Sequence, residues 1–306
     1  MKIRKIKKIE HSDSVYNLRI EDNHNYFVDG LCVSNCHQAK AKTITKILGH
    51  TFNSAYCRFG VSGTTPPDDS CEILTIQAVL GPKITEVSAN ELKEKGIITP
   101  MEIKAVIMNH SDGEFNERIK LFKKAGAGKD AFELEKAYIH ISEKRLDFIK
   151  KIVEKCDTNT LLLFHTIEYG QKILNKLETE LPGRDYYYID GEISGKKREE
   201  IKKQMEVTNE KIKVLVASFG TLSTGVSINA IFNVIFADSF KSEQIIIQSI
   251  GRALRLHSEK EKATIFDLVD VFDHGDMSNI LFRHFKEREK FYLKRQYPFK
   301  VIKINL

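Results

Sequence analysis

The sequence predicts an α/β protein whose second half forms a parallel β-sheet with helices on both faces. Short apolar segments recur along residues 160–270 and alternate with helical stretches of about 10–15 residues, a pattern typical of strands joined by crossover helices. The segments are nearly continuous in apolar residues, which favours strands buried on both faces. The candidate strands are TLLLFHT, DYYYID, KIKVLVASF, FNVIFAD and KATIFDLVD.

Composition and the placement of cysteines exclude several classes of protein. The 306 residues are 42% hydrophobic and 29% charged, which is ordinary for a globular chain with a packed core. No run of about 18 apolar residues occurs, and no apolar stretch follows the basic first ten residues, so neither a transmembrane helix nor a secretory signal is expected. The five cysteines are irregularly spaced and lack a C-x-x-C pair. We therefore expect a cytoplasmic protein with no membrane partner.

One group of acidic residues and a histidine has the composition of a metal site. Asp270, Asp273, His274 and Asp276 follow the last predicted strand. Nothing else in the sequence supplies further ligands, so an ordinary loop is the favoured interpretation. We expect no metal site within this chain.

The chain divides into five predicted segments. The first is rich in β-formers and turn residues, and the second is too short for a complete α/β domain and looks like the latter half of one. A polar, glycine-bearing linker follows, and then a complete α/β domain that opens with one long helix over residues 129–155. The segments are residues 1–35, 36–109, 110–128, 129–276 and 277–306.

The last segment concentrates the net charge of +6. Residues 281–306 contain eight lysines or arginines and two glutamates, with six aromatic residues interleaved. Basic and aromatic side chains together suit a nucleic-acid surface. The alternative, an amphipathic helix whose aromatic side chains face the core, is favoured on this feature alone.

The sequence QSIGRALR, from Gln248 to Arg255, carries the strongest chemical signal. Arg252 and Arg255 are three residues apart, so a helix presents both guanidinium groups on one face. Two such groups can bind phosphate oxygens and stabilise the transition state of phosphoryl transfer. A pair of surface arginines without a ligand is the open alternative.

Polar residues follow several predicted strands. Ser62-Gly63-Thr64, His165-Thr166 and the loop from Ser218 to Gly225 each come directly after an apolar segment. At the carboxyl end of a parallel strand, hydroxyl and backbone N–H groups of this kind can bind phosphates.

Taken in order, the segments SGT, LLLFHT, ASFGTLSTGVS and QSIGRALR resemble motifs III to VI of superfamily 2 helicases, with a likeness to the UvsW-type DNA helicases of phages. The resemblance covers residue 36 to the C-terminus. It implies two RecA-like lobes, one partial and one complete in this chain. ATP and Mg²⁺ would bind in the cleft between the lobes, and DNA would bind across them.

The resemblance also implies roles for individual residues. Those implied in catalysis are Gln248, Arg252, Arg255 and His37, and those implied in coupling to ATP are Ser62, Gly63, Thr64 and Gly251. Those implied on the nucleic-acid side are His165, Thr166, Ser218, Thr221, Thr224 and Gly225.

Two elements of such a helicase are missing from this sequence. No G-x-x-x-x-G-K followed by Ser or Thr occurs; the nearest match, ending at Lys129, has Lys123 in place of the first glycine and Asp130 in place of the hydroxyl residue. The Asp-Glu pair of the Asp-Glu-Cys-His motif is also missing, because Ser34-Asn35 precedes Cys36-His37.

The first 35 residues resemble the C-terminal part of an intein. Asn35 can attack its own carbonyl carbon through its side-chain amide, which breaks the bond to Cys36. Cys36 would first accept the upstream polypeptide as a thioester, and His24 matches the histidine that assists proton transfer. Ser34 departs from the histidine common at the penultimate position. A β-rich cap that happens to end in Asn-Cys is the alternative.

The sequence therefore predicts a helicase divided between two chains. A separate N-terminal half, carrying the phosphate loop, the Asp-Glu pair and an N-intein, would be joined to this chain by trans-splicing. The chain alone is expected to lack ATPase activity. The alternatives are a non-catalytic nucleic-acid-binding lobe and a helicase directed at RNA.

Overall fold

The computed structural model describes residues 25–28, 31–35, 57–61, 70–84, 87, 89–111, 113, 115–117, 121, 128–207, 211–223, 228–253, 261–272 and 279–306. The chain divides into two compact units, Met1–Glu86 and Val87–Leu306. In the described residues, no helix is long and apolar enough to cross a membrane.

The first unit contains a three-stranded sheet. Strands β1 (Asn25–Val28) and β2 (Leu31–Asn35) form an antiparallel hairpin, as the β-rich sequence predicts, and β2 pairs in parallel with β3 (Cys57–Val61). Because Val28 pairs with Leu31, only Asp29 and Gly30 separate the strands, and Asp-Gly is a preferred two-residue hairpin connection. The sheet thus joins residues from both sides of the predicted boundary at residue 35.

One helix of the first unit follows this sheet in the chain. The sequence Asp68-Asp69-Ser70 is typical of a helix start, and helix α1 (Cys71–Leu80) begins directly after it. The Ser70 hydroxyl caps the helix by accepting the N–H of Ile73 at 3.2 Å. The segment AKAKTITKIL, residues 39–48, predicts a short helix and lies outside the described residues.

The second unit alternates strands and helices. Its elements in chain order are α2 (Ala89–Glu94), β4 (Met101–His110), α3 (Gly128–Ile141), α4 (Glu143–Lys155), β5 (Thr160–Phe164), α5 (Ile167–Glu180), β6 (Asp185–Ile189), α6 (Gly195–Glu206), β7 (Lys213–Ser218), α7 (Phe219–Ser223), β8 (Asn233–Phe236), α8 (Glu243–Ala253), β9 (Ala263–Phe272), α9 (Ile280–Lys294) and β10 (Phe299–Asn305). The strands form one sheet in the order β10–β4–β9–β8–β5–β7–β6, and every neighbouring pair is parallel. The predicted parallel sheet is confirmed.

Strand β4 lies in a different sheet from the one that the sequence suggested. The sequence placed residues 101–109 at the end of the first lobe, whereas β4 pairs with β9 along its whole length and with β10 on its other side. An apolar strand shows that it is buried but does not specify its neighbours. Strand β10, at the edge of the sheet, was not predicted because its sequence was interpreted only as a basic and aromatic segment.

The long helix predicted over residues 129–155 is two helices. The break falls at Ser142, whose hydroxyl accepts the N–H of Arg145 at 3.4 Å and caps α4. Serine favours such a cap over a helix interior, because its side chain competes for backbone N–H groups.

The aromatic residues of the C-terminal segment pack inward. Phe285, Phe291 and Tyr292 of α9 are buried, while Lys286 and Lys290 are exposed. The structure therefore supports the amphipathic-helix alternative for α9.

Strand β9 attaches one helix to each face of the sheet through a buried ion pair. Asp267 and Asp270 are three residues apart, so their side chains project from opposite faces. Asp270 accepts two hydrogen bonds from Arg145 of α4, and Asp267 accepts two from Arg288 of α9, each set at 2.8 and 3.0 Å. All four side chains are at most 1% exposed. Removing one partner of such a pair costs about 3–5 kcal/mol, because it leaves a buried charge uncompensated.

Helix α5 approaches β5 closely at Gly170. A Cβ atom at this position would overlap the ring of Phe164, which is fully buried. Glycine is thus required by packing, although it is a poor helix former.

We predict that Gly170→Ala destabilises the protein by about 1–3 kcal/mol through overpacking, although alanine has the higher helix propensity. Gly195→Ala, in the first turn of α6, is the matched control, because its Cβ would meet no atom within 4 Å. We expect the control to change stability by less than about 0.5 kcal/mol. Urea unfolding monitored by circular dichroism measures both, and equal effects would contradict the packing argument.

Candidate functional site

Polar side chains gather at one edge of the seven-stranded sheet. Because all the strands run in the same direction, their carboxyl ends share this edge, which is where ligands bind in open α/β sheets. His110 ends β4 and Ser218 ends β7, while His165 directly follows β5 and Asp238 lies two residues past β8. The structure thus places two predicted site residues, His165 and Ser218, at the same edge.

His165 presents an exposed imidazole at this edge. Its ring packs against Phe219, with the centroids 4.7 Å apart. The contact with Phe219 removes water from part of the ring and lowers the pKa of His165, so the imidazole is mainly neutral at pH 7. The next residue, Thr166, holds the N-cap position of α5 without a side-chain capping hydrogen bond. A neutral ring and a hydroxyl can form stacking and hydrogen-bonding contacts with a ligand.

Ser218 and Thr221 are brought together but are buried. Their hydroxyl oxygens lie 2.6 Å apart, and the N–H of Thr221 donates to the Ser218 oxygen at 3.4 Å. These bonds stabilise the turn from β7 into α7. The sequence had linked both residues to nucleic acid, and in the structure their hydroxyls order the polypeptide of this turn.

Helix α8 carries the Q-x-x-G-R sequence. Gln248, Gly251 and Arg252 all lie within it. The helix packs into the core through Ile246 and Ile250, whereas Gly251 is exposed.

Of the other predicted site residues, one lies in a described strand and the rest lie outside the described residues. Those outside the described residues are His24, Cys36, His37, Ser62, Gly63, Thr64, Thr224, Gly225 and Arg255. Asn35 is the last residue of β2.

Sequence reasoning missed a buried polar network behind the edge. Asp270, considered above only as part of a loop or a metal site, lies within β9, where Arg145 and His110 bind its carboxylate. Arg145 also donates to the hydroxyl of Tyr169, whose ring stacks on His140 with the centroids 4.2 Å apart. In the part of the chain that the structure describes, no three acidic, histidine or cysteine side chains are arranged to hold a metal ion.

The network continues from His140 to Asp238. The His140 Nε2 atom lies 3.2 Å from Oδ2 of Asp238, and the same oxygen accepts the main-chain N–H of His165. No local pattern marks these residues, because their partners come from distant parts of the chain.

Comparison with known proteins supports a helicase domain. Residues 144–257, from α4 to just beyond α8, match the helicase conserved C-terminal domain. The ATP-dependent DNA helicase UvsW of Enterobacteria phage T4 is 32% identical over 238 residues, which cover 77% of this chain and 44% of that protein. The chain spans about half the length of the curated relatives it matches (44% and 53%).

Solved structures agree on the fold. The crystal structure of T4 UvsW superposes with a TM-score of 0.53 at 23% identity and covers 89% of this chain and 53% of that chain. The ATP-dependent Type ISP restriction-modification enzyme LlaBIII bound to DNA gives 0.63 at 11% identity and covers 90% and 22%. The seven-stranded unit thus has the RecA-like fold of a helicase C-terminal lobe, and this domain is similar to that of UvsW.

We predict that the buried carboxylate of Asp270 makes stability sensitive to acid. Its ion pair with Arg145 outweighs the effect of burial and lowers the pKa from 3.8 to about 2. The pair therefore stabilises the folded state above about pH 4, by about 2 kcal/mol, and this contribution is lost as the pH falls through about 2.

The measurement is urea unfolding of the unchanged protein and of Asp270→Asn from pH 7 down to pH 2. We expect the variant to be the less stable at pH 7 and the difference to shrink below about pH 4. Asp147→Asn, at a half-exposed carboxylate, should show a much smaller difference. A difference at Asp270 that is constant with pH would contradict the assignment.

Proposed function

We propose that this chain is the C-terminal part of an ATP-dependent DNA helicase or translocase of superfamily 2. The observation that carries the proposal is the juxtaposition of His165, Ser218 and the Q-x-x-G-R helix α8 on one RecA-like sheet. The similarity to UvsW over three quarters of the chain supports DNA as the substrate.

In this proposal, ATP with Mg²⁺ binds between this lobe and a lobe completed by a separate N-terminal half. Arg252 and Arg255 contact the γ-phosphate and stabilise the charge of the transition state, with Gln248 beside them. His37 belongs to the same catalytic group. Four further residues couple the bound ATP to the movement of the lobes: Ser62, Gly63, Thr64 and Gly251. ATP binding closes the lobes and hydrolysis reopens them, which moves the protein along DNA.

DNA binds at the carboxyl edge of the seven-stranded sheet and at the loops around this edge. His165 and Thr166 make direct contacts, while Ser218 and Thr221 order the turn that precedes Thr224 and Gly225. Affinity depends mainly on the phosphate backbone and falls with salt.

We further propose that the two halves are joined by protein splicing at Asn35–Cys36. The thiolate of Cys36 attacks the carbonyl carbon that joins the upstream polypeptide to the N-intein; the bond to the N-intein breaks, the N-intein leaves, and the acyl group is held on Cys36 as a thioester. The amide nitrogen of Asn35 then attacks its own carbonyl carbon, forming a succinimide and freeing the amino group of Cys36, which takes the acyl group from the sulfur to form a peptide bond. His24 assists proton transfer. The new Cys36-His37 sequence would complete the Asp-Glu-Cys-His motif contributed by the partner.

The splicing proposal predicts a change in mass on co-expression with an N-terminal half that carries an N-intein. We expect a ligated product and a released fragment that ends at Asn35, both absent with Asn35→Ala or Cys36→Ala. The ligated product should hydrolyse ATP faster with DNA than with RNA, and the unspliced chain should not hydrolyse ATP. Strong turnover by the unspliced chain would contradict the division of the site, and greater stimulation by RNA would favour an RNA-directed helicase.

A second prediction concerns His165 and needs only this chain. Because the imidazole is neutral, His165→Ala should weaken binding to a single-stranded oligonucleotide about 10-fold, while the dependence of affinity on salt stays unchanged. Loss of a lysine that contacts phosphate would instead reduce the salt slope by about one. Lys155→Ala is the control, because Lys155 ends α4 and lies toward the opposite edge of the sheet. We expect this variant to change neither the affinity nor its dependence on salt. Fluorescence anisotropy at several salt concentrations measures both, and a changed slope for His165→Ala would show an ionic contact.

A further inference from the structure

The short connection between β8 and α8, residues 237–242, is contacted by side chains and backbone groups from several other elements. We call it the β8–α8 loop. It starts at the carboxyl edge and ends at the helix that carries Gln248 and Arg252. Its position therefore sets the position of that helix.

Asp238 binds the β8–α8 loop to the turn after β5. Its Oδ2 atom accepts the main-chain N–H of His165 and a hydrogen bond from Nε2 of His140, both at 3.2 Å, and its Oδ1 atom accepts the N–H of Ser239 at 3.0 Å. The side chain is 1% exposed. Burial alone would raise the pKa of Asp238, but the hydrogen bond and charge of His140 hold it below its ordinary value, so the carboxylate stays ionised.

The other end of the β8–α8 loop is fixed by α9. Arg288 donates to the carbonyl oxygen of Phe240, and Asp267 holds the same guanidinium from β9. The ring of Phe240 lies 4.7 Å from that of Phe219, which in turn packs against His165. The loop therefore has little freedom to move independently of the turn at His165.

We propose that Asp238 is a positioning residue that couples the occupancy of the turn at His165 to the position of helix α8. The inference rests on the proposed function, in which His165 contacts DNA and α8 contacts ATP. A displacement of the His165 backbone moves the carboxylate that accepts its N–H, and the β8–α8 loop transmits this displacement to the helix.

An asparagine cannot replace this carboxylate. Asp238 accepts a backbone N–H on each of its two oxygens, whereas an amide offers one oxygen and one NH₂ group. In either orientation the NH₂ group would face the N–H of His165 or that of Ser239. Asp238→Asn thus loses one of the two backbone hydrogen bonds and sets an NH₂ group against a backbone N–H, which weakens the link while preserving the shape of the side chain.

The test is hydrogen exchange of the whole chain with and without a single-stranded oligonucleotide. In the unchanged protein, we expect DNA to alter exchange both near His165 and in α8. In Asp238→Asn, DNA should still alter exchange near His165, while its effect on α8 falls about fivefold or more, the size of a typical coupling between sites.

Asp190→Asn is the matched control. This carboxylate is also buried and accepts the backbone N–H groups of Glu192 and Ile193, but it makes no hydrogen bond to His165 or to the β8–α8 loop among the contacts of the described residues. We expect the control to keep the effect of DNA on α8. An equal loss in both variants, or a retained effect in Asp238→Asn, would overturn the proposal.

The experiment also distinguishes a failure of this inference from a failure of the proposed function. If the unchanged chain does not bind DNA, exchange without DNA decides the inference: Asp238→Asn should speed exchange at His165 and in α8 together, and a change at only one of them would overturn it. His140→Ala removes one of the three hydrogen bonds to Asp238 and should give the same pattern at a smaller size. This variant provides the test if Asp238→Asn does not fold.

Discussion

Two buried arginine–aspartate pairs on one strand determine how the helices are placed on the sheet. Asp267 and Asp270 project from opposite faces of β9, and each binds an arginine from the helix on its own face. A sheet buried on both sides has no water to solvate these charges, so each arginine must stay with its partner. Helices α4 and α9 are thereby fixed, and with them the residues that they support at the carboxyl edge.

Each of the two buried ion pairs is connected by side-chain contacts to the candidate site. On one face of the sheet, Arg145 donates a hydrogen bond to Tyr169, the ring of Tyr169 stacks on His140, and His140 donates to Asp238. On the other face, Arg288 donates a hydrogen bond to the carbonyl oxygen of Phe240. Both sets of contacts end at the β8–α8 loop, which precedes the helix with the Q-x-x-G-R sequence. The buried charges therefore do more than hold the helices, because they also hold the segment that joins β8 to the helix with the Q-x-x-G-R sequence.

The sequence was informative wherever the signal is local. Apolar runs located strands β5 to β9, a serine located the start of α1, and the polar residues after two strands located His165 and Ser218. The neighbours of β4, the break at Ser142 and the strand β10 depend on tertiary packing, so a linear pattern did not reveal them. Asp238 and His140 were missed for the same reason, because their roles exist only when elements about 70 to 100 residues apart meet. The hydroxyls of Ser218 and Thr221 show the opposite case, in which the predicted residues lie at the edge but bind each other.

The central claim of this account is that nucleic acid binds at the carboxyl edge of the seven-stranded sheet. The most direct measurement is photocrosslinking of the chain to a single-stranded oligonucleotide that contains 5-iodouracil, with the crosslinked peptides identified by mass spectrometry. The account predicts crosslinks in the peptides that contain His165 and the residues following Ser218. Crosslinks confined to α9 and β10, or to the turns at the opposite edge of the sheet, would contradict it.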